Sequence, residues 1–156
     1  DNKQKKFLIH NYLAESYYRL EEYENAFFQF DKAIELAPDD ITLKNNYSYY
    51  LAQQGQDLDK ALELIEEVVR KEPGNITFMD THAWVLYKRG DFEQARQVMK
   101  ELVDTGKQPS AVIFEHYGDI LVAAGDTENA HIYYKKALEL APSRGHIKKK
   151  IEKLAQ

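Results

Sequence analysis

Phe92-Glu93-Gln94-Ala95 decides the fold, because three other stretches repeat it in register: Tyr23-Glu24-Asn25-Ala26, Leu58-Asp59-Lys60-Ala61 and Thr127-Glu128-Asn129-Ala130. The four alanines stand 35, 34 and 35 residues apart. Working outward, Gly55, Gly90 and Gly125 precede three of them at the same turn. Pro38, Pro73, Lys107 and Pro142 follow them, each twelve residues on. Gly90-Asp91 and Gly125-Asp126 set a glycine that can end one helix before an aspartate that can start the next. Gln94 lies three residues after Asp91, the spacing of a capping box. The prolines end the second helix of each pair. A helical hairpin repeated four times is the reading.

The expected first helices run over 7–20, 41–54, 76–89 and 111–124, and the second helices over 23–36, 58–71, 92–103 and 127–140. A last helix is expected over 144–155, where Ile147, Ile151 and Leu154 recur at helical spacing and the other face is charged. The sequence therefore divides into a polar lead (1–6), four repeats (7–40, 41–75, 76–110 and 111–142) and a capping helix (143–156). The third repeat ends in Asp104-Thr105-Gly106-Lys107-Gln108-Pro109, which departs from the others.

Within each repeat the first helix carries a large–small pair: Leu13-Ala14, Tyr47-Ser48, His82-Ala83 and Tyr117-Gly118. The second carries the alanine and, four residues later, Phe30, Ile65, Met99 or Tyr134. Small side chains at both sites let paired helices approach closely. This pattern resembles the tetratricopeptide repeat, and the likeness covers nearly the whole chain. The resemblance implies an all-α fold, a right-handed superhelical solenoid of helix-turn-helix repeats closed by the C-terminal capping helix. A lone hairpin cannot bury its apolar stripe, so the stack is the folding unit.

The resemblance also implies a concave groove lined by the first helices, and a function in binding proteins. Carried over by register, the groove candidates are Tyr12, Tyr18, Asn45, Asn46, Tyr49, Asp80, Trp84, Tyr87, Glu115 and His116. The tyrosines and Trp84 form an aromatic stripe suited to anchoring a partner, with Tyr49 and Trp84 expected to be exposed in the groove; the alternative is that several of these rings pack against neighbouring helices. The amides of Asn45 and Asn46 can pair with the backbone of an extended segment or can be locally bonded. Tyr49 and Trp84 are expected to be the anchors. A chaperone-tail receptor is not expected: of the clamp residues only Asn46 has a match, and Asn11, Glu15, Thr77 and Thr81 stand where the others belong.

Chemistry has no comparable signal. There are no cysteines, hence no disulfides, thiolate metal sites or cysteine nucleophiles. The five histidines form no helical zinc motif. His116, with Glu115 and Asp119, reads as polar surface before it reads as a metal corner. His82 replaces an apolar residue and is expected to be buried and hydrogen-bonded. No phosphate-binding loop, dinucleotide loop or nucleophile elbow is present. The expectation is a binding module without catalysis, cofactor or metal.

Charge is segregated along the chain. Three lysines open it, and five basic residues from Arg144 onward stand against one glutamate. Between Phe7 and Pro142 there are 13 basic and 24 acidic residues. An acidic body repels phosphate backbones, so nucleic acid is not an expected partner. Lys148, Lys149, Lys150 and Lys153 read as a solvated helix face rather than a membrane site. No apolar run is long enough for a membrane span.

The partner is expected to be a protein or peptide, with the chain part of a larger protein or assembly. Nothing in the sequence caps the helix before Phe7, so an apolar edge through Phe7, Leu8 or nearby tyrosines is expected. Either self-association there or a longer array would cover it. The stretches Asn45-Asn46-Tyr47-Ser48-Tyr49-Tyr50-Leu51 and Asp80-Thr81-His82-Ala83-Trp84-Val85-Leu86 resemble bacterial tetratricopeptide proteins, including cell-envelope lipoproteins. That favours a bacterial periplasm or outer membrane over the cytoplasm.

Overall fold

A computed structural model describes residues 1–156. The chain is all helix: α1 (Asn2–Arg19), α2 (Tyr23–Leu36), α3 (Ile41–Gln54), α4 (Leu58–Lys71), α5 (Ile76–Arg89), α6 (Phe92–Asp104), α7 (Ala111–Ala123), α8 (Thr127–Leu140) and α9 (Gly145–Leu154). Odd and even helices pair as four hairpins, and α9 follows the last. The chain divides into two compact units, residues 1–68 and 69–156.

The boundaries follow the turn chemistry. Asp40, Asn75, Ser110 and Asp126 each accept a hydrogen bond from a backbone N–H of the helix they start. Gly55 and Gly90 close α3 and α5 in the left-handed region, at φ 63° and 91°. The first repeat has Glu21 at that turn, and the backbone keeps the same conformation, φ 62°. The hairpin geometry outweighs the side chain's preference there.

Two local expectations change, and the third junction shows what replaces its proline. The polar lead is not separate: Asp1 caps α1 by accepting from the Lys3 N–H (3.1 Å), and the lysines continue a helix they favour. Asp91 starts α6 without a side-chain cap bond, and its carboxylate lies 3.6 Å from Arg89 instead. At the third junction, where proline is missing, Lys107 reaches back and its Nζ donates to the Gly74 carbonyl (2.5 Å).

In the first unit, Ala14, Ala26, Ser48 and Ala61 are fully buried. The Ser48 hydroxyl donates to the Ala61 carbonyl across the second hairpin (2.7 Å). Tyr47 of α3 stacks on Phe30 of α2, ring centroids 5.0 Å apart, and its hydroxyl donates to Asp31 (3.0 Å). In the second unit Ala83, Ala95 and Ala130 are likewise fully buried. Gly118 lets Tyr134 lie against the α7 backbone: a Cβ there would meet the ring at 2.3 Å. Tyr134 is buried and donates to Asp119 (2.6 Å), so its ring is not free to swing away.

Gly118→Ala should therefore overpack this contact and destabilise the chain by about 1–3 kcal/mol. Urea unfolding followed by circular dichroism measures it. An unchanged midpoint would show that the α7–α8 contact is looser than drawn.

Candidate functional site

Seven polar or charged side chains are buried: Lys44, Asn45, Ser48, Asp80, Thr81, Glu115 and His116. Every one lies on a first helix, α3, α5 or α7, and none on a second helix. Burying polar groups is costly unless each finds a partner, so their partners define what these helix faces can do.

In the first unit, Lys44 pairs with Glu67 of α4 (2.6 Å). Tyr18 of α1 stacks on Tyr50 of α3 with centroids 3.9 Å apart. The Tyr50 hydroxyl donates to Glu15 (2.8 Å), and the Gln54 amide donates to the Tyr18 hydroxyl (3.0 Å). Burial raises the Tyr50 pKa, and Glu15 raises it further by accepting the proton's hydrogen bond. Beside this seam the Asn45 side-chain amide Nδ2 donates to Asn46 Oδ1 (3.3 Å). The Asn45 side-chain oxygen, Oδ1, is buried and accepts nothing. Asn46 and Tyr49 are half-buried, and Tyr12 is exposed.

In the second unit, the His116 Nδ1–H donates to both oxygens of Asp80, at 2.9 and 3.0 Å. The carboxylate can only accept, which sets the tautomer. The His116 ring stacks on Trp84 (4.0 Å), Trp84 leans on Tyr87 (4.8 Å), and the Lys88 ammonium lies over the indole (5.4 Å).

Next to His116, Glu115 meets three side chains from the α9 segment: Arg144 at 2.9 Å, His146 at 2.8 Å and Lys150 at 2.9 Å. Lys150 also bonds both oxygens of Asp119 (2.8 Å). Burial pushes the Glu115 carboxyl up, but Lys150 and His146 outweigh it and hold it below the usual range. Burial pushes the Lys150 amine down, but the bonds to Asp119 and Glu115 outweigh that and raise it. Ile147, fully buried, anchors the same clasp.

A model of the "Cytochrome c-type biogenesis protein H TPR domain" matches residues 11–112, and a general tetratricopeptide repeat model matches 81–144. The chain belongs to the tetratricopeptide repeat family. It is 33% identical over 122 residues to a TPR repeat-containing protein of the archaeon Methanocaldococcus jannaschii, covering 74% of this chain and 21% of that one. The chain thus spans about a fifth of that relative's length. Solved structures with the same fold include PilF of Pseudomonas aeruginosa (TM-score 0.79, 18% identity, 99% of this chain and 69% of that one). Another is a tetratricopeptide repeat protein from Parabacteroides merdae (TM-score 0.78, 17% identity, 99% and 58%).

The tetratricopeptide register puts the expected groove residues on first helices, but their surroundings differ from an open aromatic stripe. Trp84 is 7% exposed, which overturns its expected exposure. Asn45, Asp80, Glu115 and His116 are buried as well. Tyr18 and Tyr87 are half-buried, engaged in the Tyr50 and Trp84 stacks. His116 with its neighbours is not polar surface, and His82 is half-buried rather than buried. No group of three or more His, Asp or Glu side chains comes together as a metal site. The cleft between α6 and α8, lined by Arg96, Asp104, Tyr117 and Tyr133 among others, holds about 260 Å³.

Sequence reasoning took Lys150 for a solvated lysine, and it gave Arg144 and His146 no role at this site. The pairing signal was present as a basic end following an acidic body. Charge order along the chain does not say which carboxylates the end will reach.

Two measurements check this geometry. Trp84 is the only tryptophan, so acrylamide should quench its fluorescence weakly in the native protein and strongly in urea. Lys150→Met should lower stability at neutral pH by about 1–2 kcal/mol, less than for a fully buried pair because part of the side chain meets water. The Glu115 carboxyl is depressed from 4.5, so its contribution is present above that pH and is lost as pH falls through the lower folded value. The Lys150 amine is raised from 10.5, so its contribution is present below that pH and is lost as pH rises through the higher folded value. Lys150→Met should flatten both edges of the stability–pH curve, and an unchanged curve would remove the clasp.

Proposed function

We propose that this chain is a protein-binding module that holds an extended segment or a helix of a partner along its first-helix faces. Tetratricopeptide repeats are in general protein-interaction scaffolds without enzymatic activity, which supports the coarse reading. The observation that carries the finer one is the confinement of buried polar side chains to the first helices. Polar groups held in place by packing and by neighbours lose little freedom on meeting a ligand, and this preorganisation favours specific binding.

The first unit offers the more accessible surface. Asn46 and Tyr49 retain exposure on α3. The Asn45 side-chain oxygen beside them is an unmet acceptor, and a small rotation of that amide would let it take a backbone N–H of an extended partner. In the second unit Asp80 and His116 hold each other, and Glu115 is engaged by α9. These residues shape the face rather than reach out from it. The envelope reading rests on the match to a cytochrome c biogenesis domain. It makes a periplasmic or membrane-associated setting the one to examine first. No helix is long and apolar enough to cross a membrane.

A displayed library of random peptides is the probe. Selection should yield peptides with a shared motif. Asn46→Ala and Tyr49→Ala together should weaken the selected peptides by tenfold or more, about the effect of losing an interface anchor. Helical circular dichroism and the melting temperature should stay near wild type. Selected peptides that bind the double variant as well as the wild type would move the site elsewhere.

A further inference from the structure

Tyr47 of α3 and Tyr117 of α7 fall at the same place in their repeats, but only Tyr47 has a partner for its hydroxyl. Tyr47 donates to Asp31 of α2 (3.0 Å), and the Lys60 ammonium bonds both Asp31 (2.5 Å) and the Tyr47 oxygen (3.2 Å). A carboxylate thus takes the phenol's hydrogen bond and balances the cation beside it. Asp31 stands five residues after Ala26, and Lys100 of α6 stands five after Ala95. Lys60 directly precedes Ala61, and Asn129 of α8 directly precedes Ala130. Around Tyr117 the same register therefore supplies a cation and an amide, and no carboxylate in the Asp31 place.

Tyr117 is 6% exposed, and its hydroxyl makes no hydrogen bond within the chain. It lines the α6–α8 cleft together with Tyr133, whose hydroxyl is likewise unpaired. A buried hydroxyl without a partner is costly. Arg96 lines the same cleft, and the carboxylates of Asp126 and Glu93 lie 3.6 and 3.7 Å from its guanidinium, beyond hydrogen-bonding distance. A guanidinium carries donors and no acceptor, so the unmet capacity of the cleft is weighted towards donors. Two carboxylates also line it. Asp126 already accepts from the Asn129 backbone (3.1 Å) and amide (2.8 Å), and Asp104 accepts from Lys100 (3.0 Å). They weaken an anion's hold but leave the Arg96 and tyrosine donors in place. Burial pushes the Tyr117 pKa up to about 12; Tyr133, Asp104 and Asp126 add to the rise, and Arg96 opposes it. The hydroxyl therefore keeps its proton, and can donate it, across the neutral range.

We propose that this cleft binds a carboxylate on a short stem, held by the Tyr117 hydroxyl, the Arg96 guanidinium and the Lys100 ammonium, in the part that Asp31 plays for Tyr47. The planar fork of an arginine matches the two oxygens of a carboxylate. The cleft holds about 260 Å³, below the about 300 Å³ at which pockets for drug-sized ligands begin, so the occupant is small. It is a free mono- or dicarboxylic acid, or one acidic side chain of a partner. Asn46 and Tyr49 take no part, so this site does not depend on the peptide-binding reading.

Heteronuclear NMR of the isotope-labelled chain tests it, with sodium succinate titrated against sodium chloride at constant pH and ionic strength. Backbone amides around Arg96, Lys100, Tyr117 and Asn129 should shift and saturate in the millimolar range, as suits a ligand of few atoms. Tyr117→Phe removes only the hydroxyl, and Arg96→Gln removes the charged fork; each should weaken binding about tenfold. Because the Tyr117 hydroxyl bonds nothing in the chain, Tyr117→Phe should melt at or above the wild-type temperature. Tyr47→Phe, which breaks the bond to Asp31, should melt below it. A second titration uses a glutamate flanked by alanines with both peptide ends blocked. Saturation by this peptide at lower concentration than by succinate assigns the site to a partner's side chain, and the reverse order assigns it to a free acid. No saturating shift with either probe, or undiminished binding by Tyr117→Phe and Arg96→Gln, would overturn the proposal. A Tyr117→Phe protein that melts as low as Tyr47→Phe would overturn it too, because the hydroxyl would then have its partner inside the chain.

Discussion

Two helices can pack only as closely as the side chains between them allow, and in this chain small residues set that distance. Ala14 with Ala26, Ser48 with Ala61, Ala83 with Ala95 and Gly118 with Ala130 occupy matching places in the four hairpins, and their alanines and serine are fully buried. Each pair is used slightly differently. Ser48 satisfies its hydroxyl on the Ala61 carbonyl at the point of contact. Gly118 gives up a side chain altogether so that the Tyr134 ring can take its place. With the helix separation fixed, larger residues fill what remains: Phe30 against Tyr47 in the first unit, and Tyr133 against Tyr117 in the second.

The second helices are then free to be simple. Their buried residues are apolar, and their exposed residues are mostly polar or charged, with Phe28, Phe92, Ile132 and Leu140 as apolar exceptions. The first helices carry the polar interior, which is costly to build and confers little stability by itself. What such pairs do is specify position. Ile147 alone would let α9 slide along an apolar strip, whereas Lys150 bridging Glu115 and Asp119, with Arg144 and His146 on Glu115, admits one register. The acidic body and the basic end thus fix the place of α9 from within one chain.

Much of this was legible in the residues themselves. The period near 34, the buried alanines and the left-handed glycines placed α2, α3, α4, α5 and α8 at their observed bounds. Those features act within a few residues of where they are read, through capping, φ preference and steric size. Where the expectation slipped, an equally local cap or ion pair that had not been weighed was responsible. Asp1 made the lead helical, and Arg89 drew the Asp91 carboxylate.

The sequence by itself determined that the chain is a series of helical hairpins and which side of each helix packs, because periodicity and small-residue spacing are local properties. It also determined which residues share a register, and so nominated Asn45, Asp80, Trp84, Glu115 and His116 together. Only the tertiary structure decided that these five are buried and which of them meet each other. Exposure and ion pairing depend on what a neighbouring helix brings within about 3 Å of a polar atom. His116 closes on Asp80 and Trp84, and Glu115 on α9, across 31 to 36 residues of chain.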